Sequence, residues 1–173
     1  MKKAFTLIEL LIVVLIIGIL SAVALPQYQV AVMKTKFMNM RSVARSYVRA
    51  AEAYHLETNE WATSFSVLAV GTPGGTERVS SSHSNACYTA DQMWCCILEN
   101  KDGYQSAGIT CGSADHQIGY EYQFVNNSEY CYAKPDNNPA IQMCKSVTGK
   151  SAGGTTNFPS PTGHLVGYKY YTF

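Results

Sequence analysis

The sequence predicts an α+β fold: a long N-terminal α-helix, transmembrane in its first half and amphipathic in its second, packed on a C-terminal antiparallel β-sheet tied by disulfides. Three observations carry this. An apolar run from Phe5 to Leu25 is followed by a stripe of apolar residues in steps of three and four. Farther on, Tyr- and Val-rich segments alternate with Gly, Asn and Asp clusters, the pattern of strands and turns. Six cysteines, at 87, 95, 96, 111, 131 and 144, all fall in that later part. Their even number, with no zinc-type pair of C-x-x-C knuckles, points to disulfides formed in an oxidising compartment.

Taking the elements in order, Phe5 to Leu25 spans 21 residues with Glu9 as its sole ionisable side chain. A helix of that length reaches ~30 Å, the thickness of a bilayer core. It is apolar all round, so it must face lipid or be buried in an assembly. Glu9 costs a few kcal/mol in hydrocarbon and therefore needs a partner or a place near an interface. A cleaved secretory signal is the alternative, with Lys2 and Lys3 as its basic end and Ala22-Val23-Ala24 as its cleavage site. The length of the run and the acidic residue near its start count against it.

Beyond Pro26, the residues Val30, Met33, Phe37, Met40, Ala44, Tyr47, Ala51 and Tyr54 form one helical stripe. Pro26 removes a backbone donor and crowds the preceding turn, so it is expected to kink or locally melt the helix without ending it. Lys34, Arg41, Arg45 and Arg49 share a face away from most of the stripe. Such a row reads first as a solvated face or as partners for acidic neighbours, and otherwise as a candidate basic interaction face that attracts anionic lipid or phosphate. The formal net charge of +1 gives no bulk electrostatic reason for a nucleic-acid partner. At 173 residues the chain accommodates one ordinary domain with an appended segment.

The helix is expected to exit through Asn59 into a Gly/Pro-rich loop. "QMWCCILENKDGYQSAGITC" reads as two strands joined across Asp102-Gly103, and "GYEYQFVNNSEYCYAK" as two more turning near Asn126-Asn127. "GHLVGYKYYTF" supplies a last strand, giving an antiparallel sheet of four or five strands. "NNPAIQMCKSVTG" reads as a short helix capped by Asn138, with Pro139 in its first turn and Gly149 past its end. That helix brings Cys144 within reach of Cys131. Cys95 and Cys96 are adjacent and point to opposite strand faces, so at most one of them is expected to join Cys87 or Cys111.

Enzyme chemistry finds no foothold. No G-x-S-x-G, phosphate loop or dinucleotide fingerprint occurs, and the four histidines pair with no Cys or carboxylate at ligand spacing. No catalytic residue, cofactor or metal is therefore expected. Asn126-x-Ser128 fits a glycosylation acceptor but reads first as a turn. The tyrosines read as strand formers and core.

"KKAFTLIELLIVVLIIGILSAVALPQYQ" resembles the N-terminus of type IV pilins and of the related type II secretion pseudopilins. The matching features are a short basic leader, Phe5 at the mature start, "TLIE" ending in Glu9, an apolar run with Gly18, and Pro26 followed by Gln27-Tyr28. The resemblance implies that a prepilin peptidase cuts between Ala4 and Phe5, where the family usually has Gly before the cut. It further implies N-methylation of Phe5 and neutralisation of that new amino group by Glu9 of a neighbouring subunit. Residues 1–4 would then be leader, 5–25 transmembrane and filament-core helix, 26–58 the amphipathic half, and 59–173 the globular head. "YCYAKPDNNPAIQMCKSVTG" is similar to the C-terminal disulfide region of many pilins, which again pairs Cys131 with Cys144.

The implied function is a structural subunit of a type IV pilus, a filament of adhesion and motility. The implied partners are identical or related pilin subunits, the prepilin peptidase, an inner-membrane assembly platform and, before assembly, membrane lipid. The chain would be a single-pass inner-membrane precursor with its head outside, then part of an extracellular pilus. Two other readings stand beside it: a pseudopilin of a type II secretion system, and a minor pilin or adhesin binding DNA or surfaces. The C-terminal "SPTGHLVGYKYYTF" has no acidic residue for the calcium loop of major pseudopilins.

Overall fold

A computed structural model of the chain describes residues 6–71, 75–78, 84–98, 107–155 and 167–173. Its spine is helix α1, Leu7–Thr58, 52 residues and about 80 Å long at the usual rise. The helix passes through Pro26 without a break and stops at Asn59, which adopts φ 60° and donates its backbone N–H to the His55 carbonyl at 2.8 Å. Asn tolerates that left-handed geometry better than most residues, which is why the chain can turn there. Trp61 then stacks between His55 and Phe124, with ring centroids 4.0 Å away on either side, and folds the exit segment back on the head.

Eight antiparallel strands lie among the described residues: β1 Thr76–Arg78, β2 Ser84–Thr89, β3 Met93–Leu98, β4 Gly108–Ser113, β5 Ile118–Gln123, β6 Ser128–Ala133, β7 Gly154–Thr155 and β8 Lys169–Thr172. They form one sheet in the order β1-β2-β3-β4-β5-β6-β8-β7. Four or five strands were expected, so this is a correction. The additional strands are β1, β2 and β7. Strands of two or three residues are too short to show a period, and β2 opens on Ser84 and Asn85, which favour turns. The turn between β5 and β6 places Asn127 at φ 51°. The expected turn at Asp102-Gly103 and the first part of the last strand lie outside the described residues.

Alternation along the strands builds the core between sheet and helix. Tyr88, Cys95, Ile97, Ile109, Cys111, Ile118, Tyr120 and Cys131 point toward α1 and are almost wholly buried. They meet Phe37, Met40, Ala44, Tyr47, Val48 and Ala51 of α1, with Val30, Met33 and Tyr54 packed at the margins. Helix α2, Asn138–Thr148, adds Ala140, Ile141, Met143 and Cys144. Its cap is Asn137, one residue before the expected Asn138: the Asn137 side-chain oxygen accepts from the Ala140 N–H at 3.0 Å. The sheet's other face carries a second cluster of Trp94, Cys96, Tyr132 and Tyr168.

Three disulfides tie the head: Cys87 with Cys96, Cys95 with Cys111, and Cys131 with Cys144. Both adjacent cysteines of β3 are bonded, against the expectation that at most one would be. Their side chains do point to opposite faces, but each finds a partner directly across a different neighbouring strand. Cys96 sits opposite Cys87 on β2, and Cys95 opposite Cys111 on β4. The middle strand is thereby fastened on both sides.

Candidate functional site

The feature that sets this molecule apart is the contrast between the two halves of α1. From Leu7 to Tyr28 every residue of the helix is exposed, among them the large apolar side chains Leu7, Ile8, Leu10 to Ile17, Ile19, Leu20, Val23 and Leu25. The 18-residue window that qualifies it as long and apolar enough to cross a membrane has no buried part. From Phe37 onward the same helix is buried along one stripe. A solvated surface of this size would be strongly unfavourable, at ~25 cal/mol per Å² of apolar area, so lipid or other protein must cover it.

Thr6 and Glu9 start the helix with a capping box. The Thr6 hydroxyl oxygen accepts from the Glu9 N–H at 3.3 Å, and the Glu9 carboxylate accepts from the Thr6 N–H at 2.8 Å and the Thr6 hydroxyl at 2.6 Å. The carboxylate thus satisfies donors that a helix start leaves open, and its negative charge lies at the positive end of the helix dipole. It sits exposed at the terminus of the apolar half, with Oε2 engaged by Thr6. Ala4 and Phe5, the expected cleavage and methylation positions, lie outside the described residues.

How the buried half is held required the structure to see. Arg41 donates from Nε and Nη2 to Glu129 Oε2 at 3.0 and 2.6 Å, and Arg45 Nη2 donates to Glu129 Oε1. Glu129 is 8% exposed, at the start of β6. Arg41 also lies over the Phe173 ring at 4.1 Å and Arg45 over Tyr122 at 4.9 Å. Two guanidiniums on one carboxylate compensate its burial, and flat cations cover the aromatic rim of the core. Burial and the Glu129 carboxylate push the Tyr120 phenol well above its ordinary value, opposed by Arg45 and Arg41.

Two members of the basic row thus partner an acidic neighbour. Lys34 and Arg49 are exposed, but Arg41 and Arg45 are committed to Glu129, so the four do not form one open cationic surface. The four-residue spacing put the arginines on one side of the helix, and that side borders the core at the edge of β6. Lower on α1, Lys36 pairs with Asp115 of the β4–β5 turn at 3.3 Å. Among the described residues no three His, Cys, Asp or Glu side chains converge as a metal site would require.

Residues 1–25 match the family model for the prokaryotic N-terminal methylation motif. A fimbrial protein of Pseudomonas aeruginosa is 34% identical over 114 residues, 65% of this chain and 70% of that protein. The type IV major pilin protein PilE1 of Neisseria gonorrhoeae is 37% identical over 73 residues, 42% of this chain and 44% of its own length. The type IV major fimbrial protein FimA of Dichelobacter nodosus is 40% identical over 78 residues, covering 41% of this chain and 50% of that protein. No solved structure matches significantly.

Proposed function

The chain belongs to the type IV pilin family, and from that premise we propose that it polymerises through the exposed half of α1 into an extracellular filament. The observation that carries this is the bare apolar half-helix projecting from a finished head. Before assembly lipid covers that surface. In the filament the same residues from several subunits cover one another, so no apolar area meets water at either stage.

The finer steps follow the same logic. A prepilin peptidase removes residues 1–4 by cutting between Ala4 and Phe5, and Phe5 is N-methylated. An inner-membrane platform then extracts the subunit. Glu9, at the helix terminus, neutralises the amino group of a neighbouring Phe5 as both leave water, because opposite charges in a low dielectric relieve each other's desolvation. Pro26 leaves one carbonyl without its helical donor and gives the emerging helix a point of local compliance where membrane half meets head. The capture of DNA through Lys34, Arg41, Arg45 and Arg49 finds no support in an arginine pair already spent on Glu129.

Replacing Glu9 by Ala or Val tests the assembly step. The variant is expected to insert in membranes at the wild-type level and to yield no surface filaments by electron microscopy. Filaments in normal number and length would refute the role given to Glu9.

A further inference from the structure

Two glutamates lie almost buried on opposite faces of the same sheet. Glu129 faces α1 and meets two guanidiniums. Glu121, on β5, faces the other way, is 7% exposed and meets none. Its Oε1 accepts from the Gln123 side-chain amide at 2.7 Å, and its Oε2 lies 3.0 Å from the Tyr132 phenol oxygen. Across the sheet its register partners are Thr110 on β4, fully buried, and Tyr130 on β6.

The titratable groups facing it are therefore phenols: Tyr132 and Tyr130 from β6, and Tyr170 beside them on β8. β4 offers only the Thr110 hydroxyl, and β5 itself only Gln123. No described cation stands near it. An ionised carboxylate in such surroundings lacks compensation, since two neutral hydrogen bonds do not replace the hydration it has lost. A protonated carboxyl fits the same contacts: the amide still donates to Oε1, and the acid proton on Oε2 can be donated to the Tyr132 oxygen.

We propose that Glu121 is held as a neutral carboxylic acid in the folded head at neutral pH and serves as a proton-sensitive latch on the outer face of the sheet. Burial, the largest influence, raises this carboxyl above its ordinary value, against the opposing hydrogen bonds of Gln123 and Tyr132. A group raised in the folded state adds stability that is complete below the unfolded carboxylate range. That stability is lost as pH rises through the folded value. Alkaline conditions thus loosen the β4–β5–β6 face that carries Tyr130 and Tyr132.

The test uses the full chain in detergent micelles, in a Glu9→Gln background so that the membrane carboxyl adds nothing. Infrared spectra at neutral pH should contain the C=O band of a protonated carboxyl that is absent in Glu121→Gln. Alkaline titration should remove the band in parallel with a fall in the thermal unfolding midpoint, and Glu121→Gln should remove that part of the fall. Tyr132→Phe, which keeps the carboxyl but deletes the phenol that can donate to its ionised form, should move the band's disappearance to higher pH. It serves equally if Glu121→Gln does not fold. No protonated carboxyl at neutral pH, a band that survives Glu121→Gln, or a titration unmoved by Tyr132→Phe would overturn the proposal.

Discussion

Glu129 shows how much one strand residue can organise. It receives Arg41 and Arg45 at once, in a place where an uncompensated charge would be costly. Replacing it by Ala strands two guanidiniums at the edge of the core and should lower head stability by about 2–4 kcal/mol, measured by thermal unfolding of the full chain in detergent. Arg41→Ala should cost less, because Arg45 still answers the carboxylate, and a double-mutant cycle would separate the two contacts. The arginine row was legible in the sequence from its spacing. Its partner was not, because Glu129 is 88 positions from Arg41 and only the fold brings them together. Asp115 adds a pH dependence of opposite sign to that of Glu121. Desolvation pushes its carboxyl up, but Ser113, the Gln117 N–H and Lys36 together hold it below its ordinary value. It therefore supports the fold above the unfolded carboxylate range, and that support disappears as pH falls through the folded value. Asp115→Asn should flatten the acid side of a plot of melting temperature against pH.

The elements differ in how plainly their residues announce them, and the reason is period. The α1 stripe from Val30 to Tyr54 was legible because a helix half-buried on a sheet repeats its burial every three to four residues, and the buried positions follow that repeat. β3 to β6 were legible as two hairpins from their apolar and aromatic runs. β1 and β7 were not, because their pairing is decided by neighbours and not by their own residues. The double fastening of β3 was missed because it needs the strand order, with β2 on one side and β4 on the other. That arrangement predicts an order of reduction. Cys87 is half-buried, whereas Cys95, Cys111, Cys131 and Cys144 are fully buried. Mild reductant without denaturant should open Cys87–Cys96 first, seen as alkylation of those two cysteines by peptide mass mapping. Gly112 gives a second check on β4. A Cβ there would run into the Trp94 indole, so Gly112→Ala should destabilise the head by roughly 1–3 kcal/mol through overpacking.

On the scale of the molecule, one helix serves two environments. Its C-terminal half completes the head's core, and its N-terminal half has no core of its own. The sequence disclosed this division directly, because an apolar run that is hydrophobic all round cannot belong to a helix with one solvated face. What it could not disclose is the attachment between the halves and the head, which rests on Arg41, Arg45 and Glu129 and on the Trp61 stack at the far end. The central claim is that the apolar half is kept as the filament's core and not discarded on export. The most direct test is mass spectrometry of the N-terminal peptide of the protein recovered from surface filaments. The account predicts a chain beginning at N-methylated Phe5 with Glu9 retained; a chain beginning at Leu25 would contradict it.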